Sequence, residues 1–426
     1  MEFIGIAAML LLLVSGAPIF LACFMGVALI VNLALGIDGT VIWAVMFDKL
    51  NSSVLLAVPL FMFSGMLLQH GGAADSLVKL LTSFLGHIRG GAAYAVVIAC
   101  IIFAAMSAVS IAAVAAMAPV FIPCLVACGY SKKFSIGLIL CAGSIASLIP
   151  PSIELIIYGF ITQTSVISLW TAGIIPGLIM ALFFAITIWF HSKRGHYVPL
   201  PRATWGERWK ALKHGWPVAI MPLVVLGPLY ANIASPTEIS AIAAVYSLLL
   251  VTLVYRKMKL KQFWRASYET VSITTAIFAI FIGALLLNTA LVYVRIPYRL
   301  TDLLVQSGMN WASFMLVIYI VYLLMGSLLD SSSILMISVP ILFSTVMSLG
   351  INPITFGVFT TLSCEIAYLT PPYGMLLFAG AAVLREDFVT VAKSTLLFYP
   401  ALVVTPILVA YIPQLSLWLP NLLGHN

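Results

Sequence analysis

The chain has 426 residues, of which 63% are hydrophobic and 8% charged, with a formal net charge of +7. An ordinary soluble domain carries about a quarter charged residues, so this composition excludes a water-soluble fold. The basic excess gathers in a few loops rather than over a face, which argues against nucleic acid and for cytoplasmic anchoring.

Apolar stretches recur from Phe3 to Leu419, and each needs about 20 residues to cross the hydrocarbon core. The first is shaped like a signal peptide, but Glu2 stands where a basic region belongs and a second apolar run follows at once. It reads as a retained helix. Residues 1–69 are assigned to scaffold helices of a first repeat and 70–90 to an amphipathic connector. Runs 94–106 and 112–128 begin beside Arg89 and end beside Lys132 and Lys133. They therefore enter and leave on one face, as a re-entrant hairpin with its tip at Ser107 to Ser110. A segment broken at Pro150-Pro151 completes a transport unit over 91–168, and a helix over 169–191 closes the repeat. Lys193, Arg194, Arg202, Arg208, Lys210 and Lys213 against the single Glu207 mark 192–215 as a cytoplasmic loop.

The pattern then starts again. Runs 216–232 and 236–255 cross outward and return to the bases Arg256, Lys257, Lys259, Lys261 and Arg265. Scaffold helices fill 216–290 and a connector 291–310. A hairpin over 315–348, with its tip near Asp330 to Ser332, and a segment broken at Pro371-Pro372 form a second transport unit, 311–385. A C-terminal helix and tail occupy 386–426. Arg295 and Arg299 are read as interface anchors.

Ile149-Pro150-Pro151-Ser152 recurs as Thr370-Pro371-Pro372-Tyr373, 221 residues on, and the same offset carries Pro119 to Pro340, Gly129 to Gly350 and Gly159 to Gly380. Gly16-Ala17-Pro18-Ile19 pairs with Ala234-Ser235-Pro236-Thr237 at a slightly different offset. Each half has about five crossings by length, and an odd number inverts the second half. The fold class is an all-α polytopic membrane protein with an inverted repeat, two re-entrant hairpins and two broken helices.

Two successive prolines cannot be absorbed as a mild kink and must break a helix. Backbone groups left unpaired at membrane depth cost several kcal/mol each unless protein, water or an ion satisfies them. Freed carbonyls suit a bare cation, and the half-helix amino termini beyond each break suit an organic anion. Two breaks, each facing a serine-bearing tip, read as two cation sites flanking an anion site. Ser152, Glu154, Ser332, Glu365 and Tyr373 are the candidates for substrate binding or coupling. Glu154 and Glu365 stand out because an ionisable group inside a membrane segment is costly. They hold a proton, help coordinate a cation, or pair with a hydroxyl beside a water-filled cavity. The six cysteines fall inside apolar segments without metal-ligand spacing, and no histidine is assigned to a metal.

Val58-Pro59-Leu60-Phe61 leading to Gly71-Gly72, Arg89-Gly90-Gly91, Ile149-Pro150-Pro151-Ser152 with Ile157-Tyr158-Gly159, Ser235-Pro236-Thr237-Glu238, Val339-Pro340-Ile341-Leu342, and Leu369-Thr370-Pro371-Pro372 with Gly374 and Phe378 span nearly the whole chain. In these motifs the sequence resembles the large membrane subunit of tripartite ATP-independent periplasmic (TRAP) transporters. The resemblance implies an elevator-type carrier driven by a sodium gradient, without an organic cofactor. It implies a small membrane subunit and a soluble periplasmic binding protein that captures an organic acid as partners. It places sodium at Ser107, Ser110, Ser147 and Pro150, and at Asp330, Ser331, Thr370 and Pro371. Ala108, Val109 and Ala113 depart from the family's Gly-Ser-rich first tip and its threonine, which leaves backbone carbonyls to serve there. The chain has no phosphate-cradling ATP loop. The rival readings are a stand-alone sodium- or proton-coupled anion symporter, an intramembrane hydrolase, for which no histidine lies at a mid-membrane break, and a channel, which two symmetric broken-helix sites do not favour.

Overall fold

The computed structural model describes residues 15–30, 50–195, 197–231, 233–326, 329–371 and 374–424, together with 5, 7–9, 11, 12, 44 and 47. In the first half, α1 (Ile19–Ile30), α2 (Ala57–His70) and the amphipathic α3 (Ala73–Leu85) precede a hairpin of α4 (Gly91–Ser107) and α5 (Ser110–Ala127). Then come α6 (Lys132–Gly143), α7 (Ile153–Thr162) and α8 (Val166–Arg194). Helices α9 (Trp205–Ala219) and α10 (Met221–Tyr230) lead into the second half. That half has α11 (Pro236–Leu249), α12 (Leu260–Tyr293), α13 (Ile296–Gln306), and a hairpin of α14 (Trp311–Met325) and α15 (Ser331–Ser348). It ends with α16 (Pro353–Tyr368), α17 (Met375–Leu384), α18 (Phe388–Thr395), α19 (Tyr399–Tyr411) and α20 (Gln414–Leu423).

The repeat read from the prolines is a repeat of helices. An offset of 221 residues carries α5 onto α15 end for end and the start of α6 onto the start of α16. Small polar residues set these boundaries. Ser131, Ser152 and Ser165 accept a bond from the amide three residues on and cap α6, α7 and α8. Asn310, Asp330 and Asn352 do the same for α14, α15 and α16. Each cap satisfies an amide that would otherwise be unpaired in an apolar interior.

Seven helices among the described residues are long and apolar enough to cross a membrane, or eight if α18 and α19, bent by 55°, count as one. Cys23, Cys100, Cys128, Cys141 and Cys364 are buried and Cys124 is half-buried, all as free thiols, which fits their reading as packing residues.

Both ends of the first hairpin lie at the face that carries the basic end of α8. Arg89, just before α4, donates to the carbonyls of Ser192, Lys193 and Gly195 at 2.9, 3.2 and 3.2 Å. A guanidinium there also meets the negative end of the α8 dipole. Val198 N donates to Cys128 O, just after α5, and Tyr197 stacks on Tyr130 with ring centroids 4.1 Å apart. The chain after α8 therefore folds back over the base of the hairpin.

Two sequence expectations change. The loop expected over 192–215 is shorter, because Thr204 and Glu207 form a reciprocal capping box that starts α9 within it. The expected single C-terminal helix is three helices, with α18 and α19 separated at Leu396 to Phe398. Its first-half counterpart, α8, continues for 29 residues through Pro176.

Helices α1, α2, α11 and α12 pack into a frame: α2 against α11 and α12, and α1 against α12. The Ser64 and Ser247 hydroxyls lie 2.7 Å apart across α2 and α11. On the other side the halves interlock. Helix α5 packs on α6 of its own half and on α17 of the other, and α15 packs on α16 and on α7.

Candidate functional site

Four interruptions of helix converge, two at the breaks and two at the hairpin tips. After α6 the chain tightens into a 3-10 turn, Ser144–Ser147, against which both arms of the first hairpin pack. It then runs through Pro150-Pro151 to the cap of α7. Gly173 lets α8 lie against this stretch, because a β-carbon there would collide with the Leu148 carbonyl oxygen. Trp170 Nε1 donates to Ser152 O at 3.1 Å and holds the far edge of the break. In the second half the break follows Tyr368. Thr370 Oγ1 donates to Ile366 O at 2.7 Å, and the Tyr399 hydroxyl lies 2.7 Å from Thr370 Oγ1 and 3.0 Å from Leu369 O.

The first tip is Ala108 in the left-handed conformation (φ 52°) followed by extended Val109. Its neighbour Ser107 is fully buried against Gly65 of α2, where an added β-carbon would sit 2.7 Å from the Ser107 Cα. At the second tip the two oxygens of Asp330 are both engaged with Ser333, one by its amide at 3.2 Å and one by its hydroxyl.

A cavity of about 830 Å³ opens between these features and the frame. Ala108 to Ile111 line it from the first tip, Asp330 to Ser332 from the second, Ile153 and Glu154 from the start of α7, and Met375 from the start of α17. Glu365 and Tyr368 enter from the end of α16, and the opposite wall is Pro18 to Phe20 with Ser272, Thr275, Ala276 and their neighbours on α12. Three carboxylates thus face one space, although among the described residues no three His, Cys, Asp or Glu side chains come close enough to share a metal ion. Glu365 is 3% exposed and accepts from Ser110 Oγ on both oxygens at 3.2 Å. Glu154 is 8% exposed, and Ser152 Oγ donates to it at 3.4 Å.

Residues 3–415 match the family model described as the tripartite ATP-independent periplasmic transporter, DctM component. The chain belongs to this family of TRAP large membrane subunits. It is 36% identical to the C4-dicarboxylate TRAP transporter large permease protein DctM of Pseudomonas aeruginosa over 383 residues, 89% of each chain. It is 30% identical to the ectoine TRAP transporter large permease protein TeaC of Halomonas elongata over 99% of each. The fold is also similar to that of the Alcanivorax borkumensis YdaH transporter, with a TM-score of 0.60, 15% identity and coverage of 89% of this chain and 88% of that one. With its apolar spans and these relatives, the TRAP subunit is a multi-pass protein of the bacterial inner membrane.

Within this TRAP subunit the residues singled out in the sequence divide into two groups. Ser110, Glu154, Asp330, Ser331, Ser332 and Glu365 line the cavity. Ser107, Ser147, Pro150, Ser152, Thr370 and Pro371 lie behind it or beside the breaks, with Ser147 donating to Ser144 O at 2.9 Å. Tyr373 and Pro372 lie outside the described residues. At the second tip Ser331 and Ser332 form the first turn of α15, capped by Asp330, and residues 327 and 328 before it lie outside the described residues. The α12 wall was missed, although Ser272, Thr275, Ala276 and Ala279 recur at helical spacing along it. Also missed was the contact of His70 Nε2 with Glu269 Oε2 at 2.7 Å, which joins α2 to α12. Residues from distant parts of the chain meet there, and no local pattern marks them.

Proposed function

We propose that this TRAP subunit is the permease of a sodium-gradient-driven, binding-protein-dependent importer of a small organic acid, working by an elevator movement. The observation that carries the reading is the cavity between both tips and both post-break helices on one side and α12 on the other. Substrate held there would be gripped by a unit that can slide against the frame. The tips would turn back within the bilayer, and the two halves would stand inverted.

Sodium would be held by carbonyls and hydroxyls at Ser107, Ser110, Ser147 and Pro150, and at Asp330, Ser331, Thr370 and Pro371. The substrate carboxylate would lie toward the amino terminus of α5, which has no side-chain cap and no acid in its first turn. A periplasmic binding protein would deliver the acid, and a small membrane subunit would brace the frame. Members of the family carry names that include C4-dicarboxylate, ectoine and sialic acid, and the substrate here is placed in that broad class of small organic acids.

A ligand that binds only the folded state raises its stability. The purified protein should therefore melt higher in sodium than in potassium at matched ionic strength. Equal melting in both, with stabilisation that instead follows protonation, would overturn sodium coupling in favour of protons carried by Glu365 or Glu154, the second reading that the acidic cavity wall supports.

A further inference from the structure

The charge of the cavity does not match a simple acid anion. Glu154, Asp330 and Glu365 line it, and no Lys, Arg or His does so among the described residues. A substrate bearing only negative charge would meet three carboxylates and no side-chain cation, and whatever part of that charge bound sodium does not offset would repel it.

Two of the three acids are already occupied. Asp330 caps α15 with both oxygens on Ser333, and Glu365 takes the Ser110 hydroxyl on both of its oxygens. Glu154 is more than nine-tenths buried in the cavity wall, with a long bond from Ser152 and another from its own backbone amide. At the offset that superposes α5 on α15 none of the three acids has an acidic counterpart: Glu154 falls opposite Met375, Asp330 opposite Val109 and Glu365 opposite Ser144. What sets Glu154 apart is that Glu365 is tied across to Ser110 of the other half, whereas the bonds to Glu154 come from the start of its own helix.

We propose that the substrate is a small zwitterion, an organic acid that also carries a positively charged nitrogen, and that Glu154 pairs with that nitrogen. The carboxylate end lies at the amino terminus of α5 and the ammonium, guanidinium or quaternary end at Glu154. Apolar groups such as Ile153, Ile111 and Met375 cover the carbon chain between them. This rests on the transport reading and narrows its substrate class.

The test uses acids that share a chain of four methylenes and differ only at the far end. These are δ-aminovalerate with an ammonium, hexanoate with a methyl and adipate with a second carboxylate. γ-Guanidinobutyrate and γ-butyrobetaine extend the cationic series. Each is titrated into the purified full chain in sodium, and the shift in melting temperature is read. At least one cationic member should bind about tenfold or more tightly than hexanoate and adipate, and Glu154→Gln should remove that preference, as loss of a buried charge partner does. Adipate binding as well as every cationic member, no member binding, or an unchanged preference in Glu154→Gln would each overturn the assignment. If Glu154→Gln does not fold, the comparison in the unmodified chain decides alone. Stabilisation by sodium is read separately without acid, so a sodium response with adipate preferred sinks the zwitterion and leaves the transport reading standing. Cationic preference without a sodium response does the reverse for sodium coupling.

Discussion

Ser110, at the first residue of α5, donates its hydroxyl to both carboxylate oxygens of Glu365, near the end of α16, at 3.2 Å each. The two are 255 residues apart and belong to opposite halves. The first tip is thus fastened to the second broken helix, so the two repeats share one cavity wall.

Removing that hydroxyl should loosen the tip. Ser110→Ala deprives a buried carboxylate of a partner, which costs about 1–3 kcal/mol. The melting temperature should fall, and Ser110→Thr, which keeps a hydroxyl, should recover most of the loss. Identical melting of the alanine and threonine variants would show that the contact contributes nothing.

Glu365→Gln tests charge rather than shape. The amide oxygen can still accept from Ser110, so the fold should survive. A hydrogen bond to a charged group contributes about 1.5–3 kcal/mol, so a cation that relies on this carboxylate should bind on the order of tenfold more weakly. Sodium titrations of melting temperature read this directly, and an unchanged midpoint would remove Glu365 from coupling.

Gly173→Ala should be costly although it adds only one methyl. The new β-carbon would collide with the backbone carbonyl of Leu148 at the break, where no side chain can swing aside. Forcing backbone apart in a packed interior costs about 1–3 kcal/mol. Gly227 of α10 has nothing within 4 Å of an added β-carbon, so Gly227→Ala should be neutral or stabilising by up to about 1 kcal/mol. Equal yields of folded protein from the two variants would contradict the packing described at the break.

The proline pairs and their spacing made the halves legible, because a helix break is a local chemical event that one dipeptide dictates. The first hairpin followed from Arg89, Lys132 and Lys133 at its base, and the second from carrying the same logic into the other half. The bend between α18 and α19 was missed although Pro400 marks it: as the second residue of α19 it cannot donate to the Leu396 carbonyl and starts a new helix there. The start of α9 was legible in principle. Thr204-Trp205-Gly206-Glu207 is a capping box, but the basic residues around it read more strongly as loop. Glu154 and Glu365 were visible as buried acids, yet the tie of Glu365 to Ser110 could not be read before the halves were assembled.

That capping box supports a direct test. Thr204 accepts from the Glu207 amide at 3.3 Å, while Glu207 Oε2 accepts from the Thr204 amide at 2.7 Å. Thr204→Ala should cost about 1 kcal/mol, the usual loss of an amino-terminal cap, and Thr204→Ser should restore it. Because α9 packs against α3, proteolysis within 195–204 should quicken in the alanine variant alone. Equal cleavage rates in all three proteins would mean that packing on α3, not the cap, holds the start of α9.

The tip itself gives the sharpest contrast between strain and burial. Ala108 closes α4 at φ 52° and ψ 11° with 1% of its surface exposed. The left-handed conformation costs an L-residue roughly 1–2 kcal/mol, which glycine avoids. Glycine would also surrender a buried methyl worth about 0.8 kcal/mol and add freedom to the unfolded chain. These effects oppose each other, so Ala108→Gly should change stability by no more than about 1 kcal/mol. Ala108→Val has no such compensation, because a β-branched side chain is a genuine outlier at positive φ and the site is buried. It should destabilise by about 2 kcal/mol or more, combining backbone strain with overpacking. Melting temperatures of the three proteins check the order, and valine equal to alanine would show that the tip does not hold this conformation.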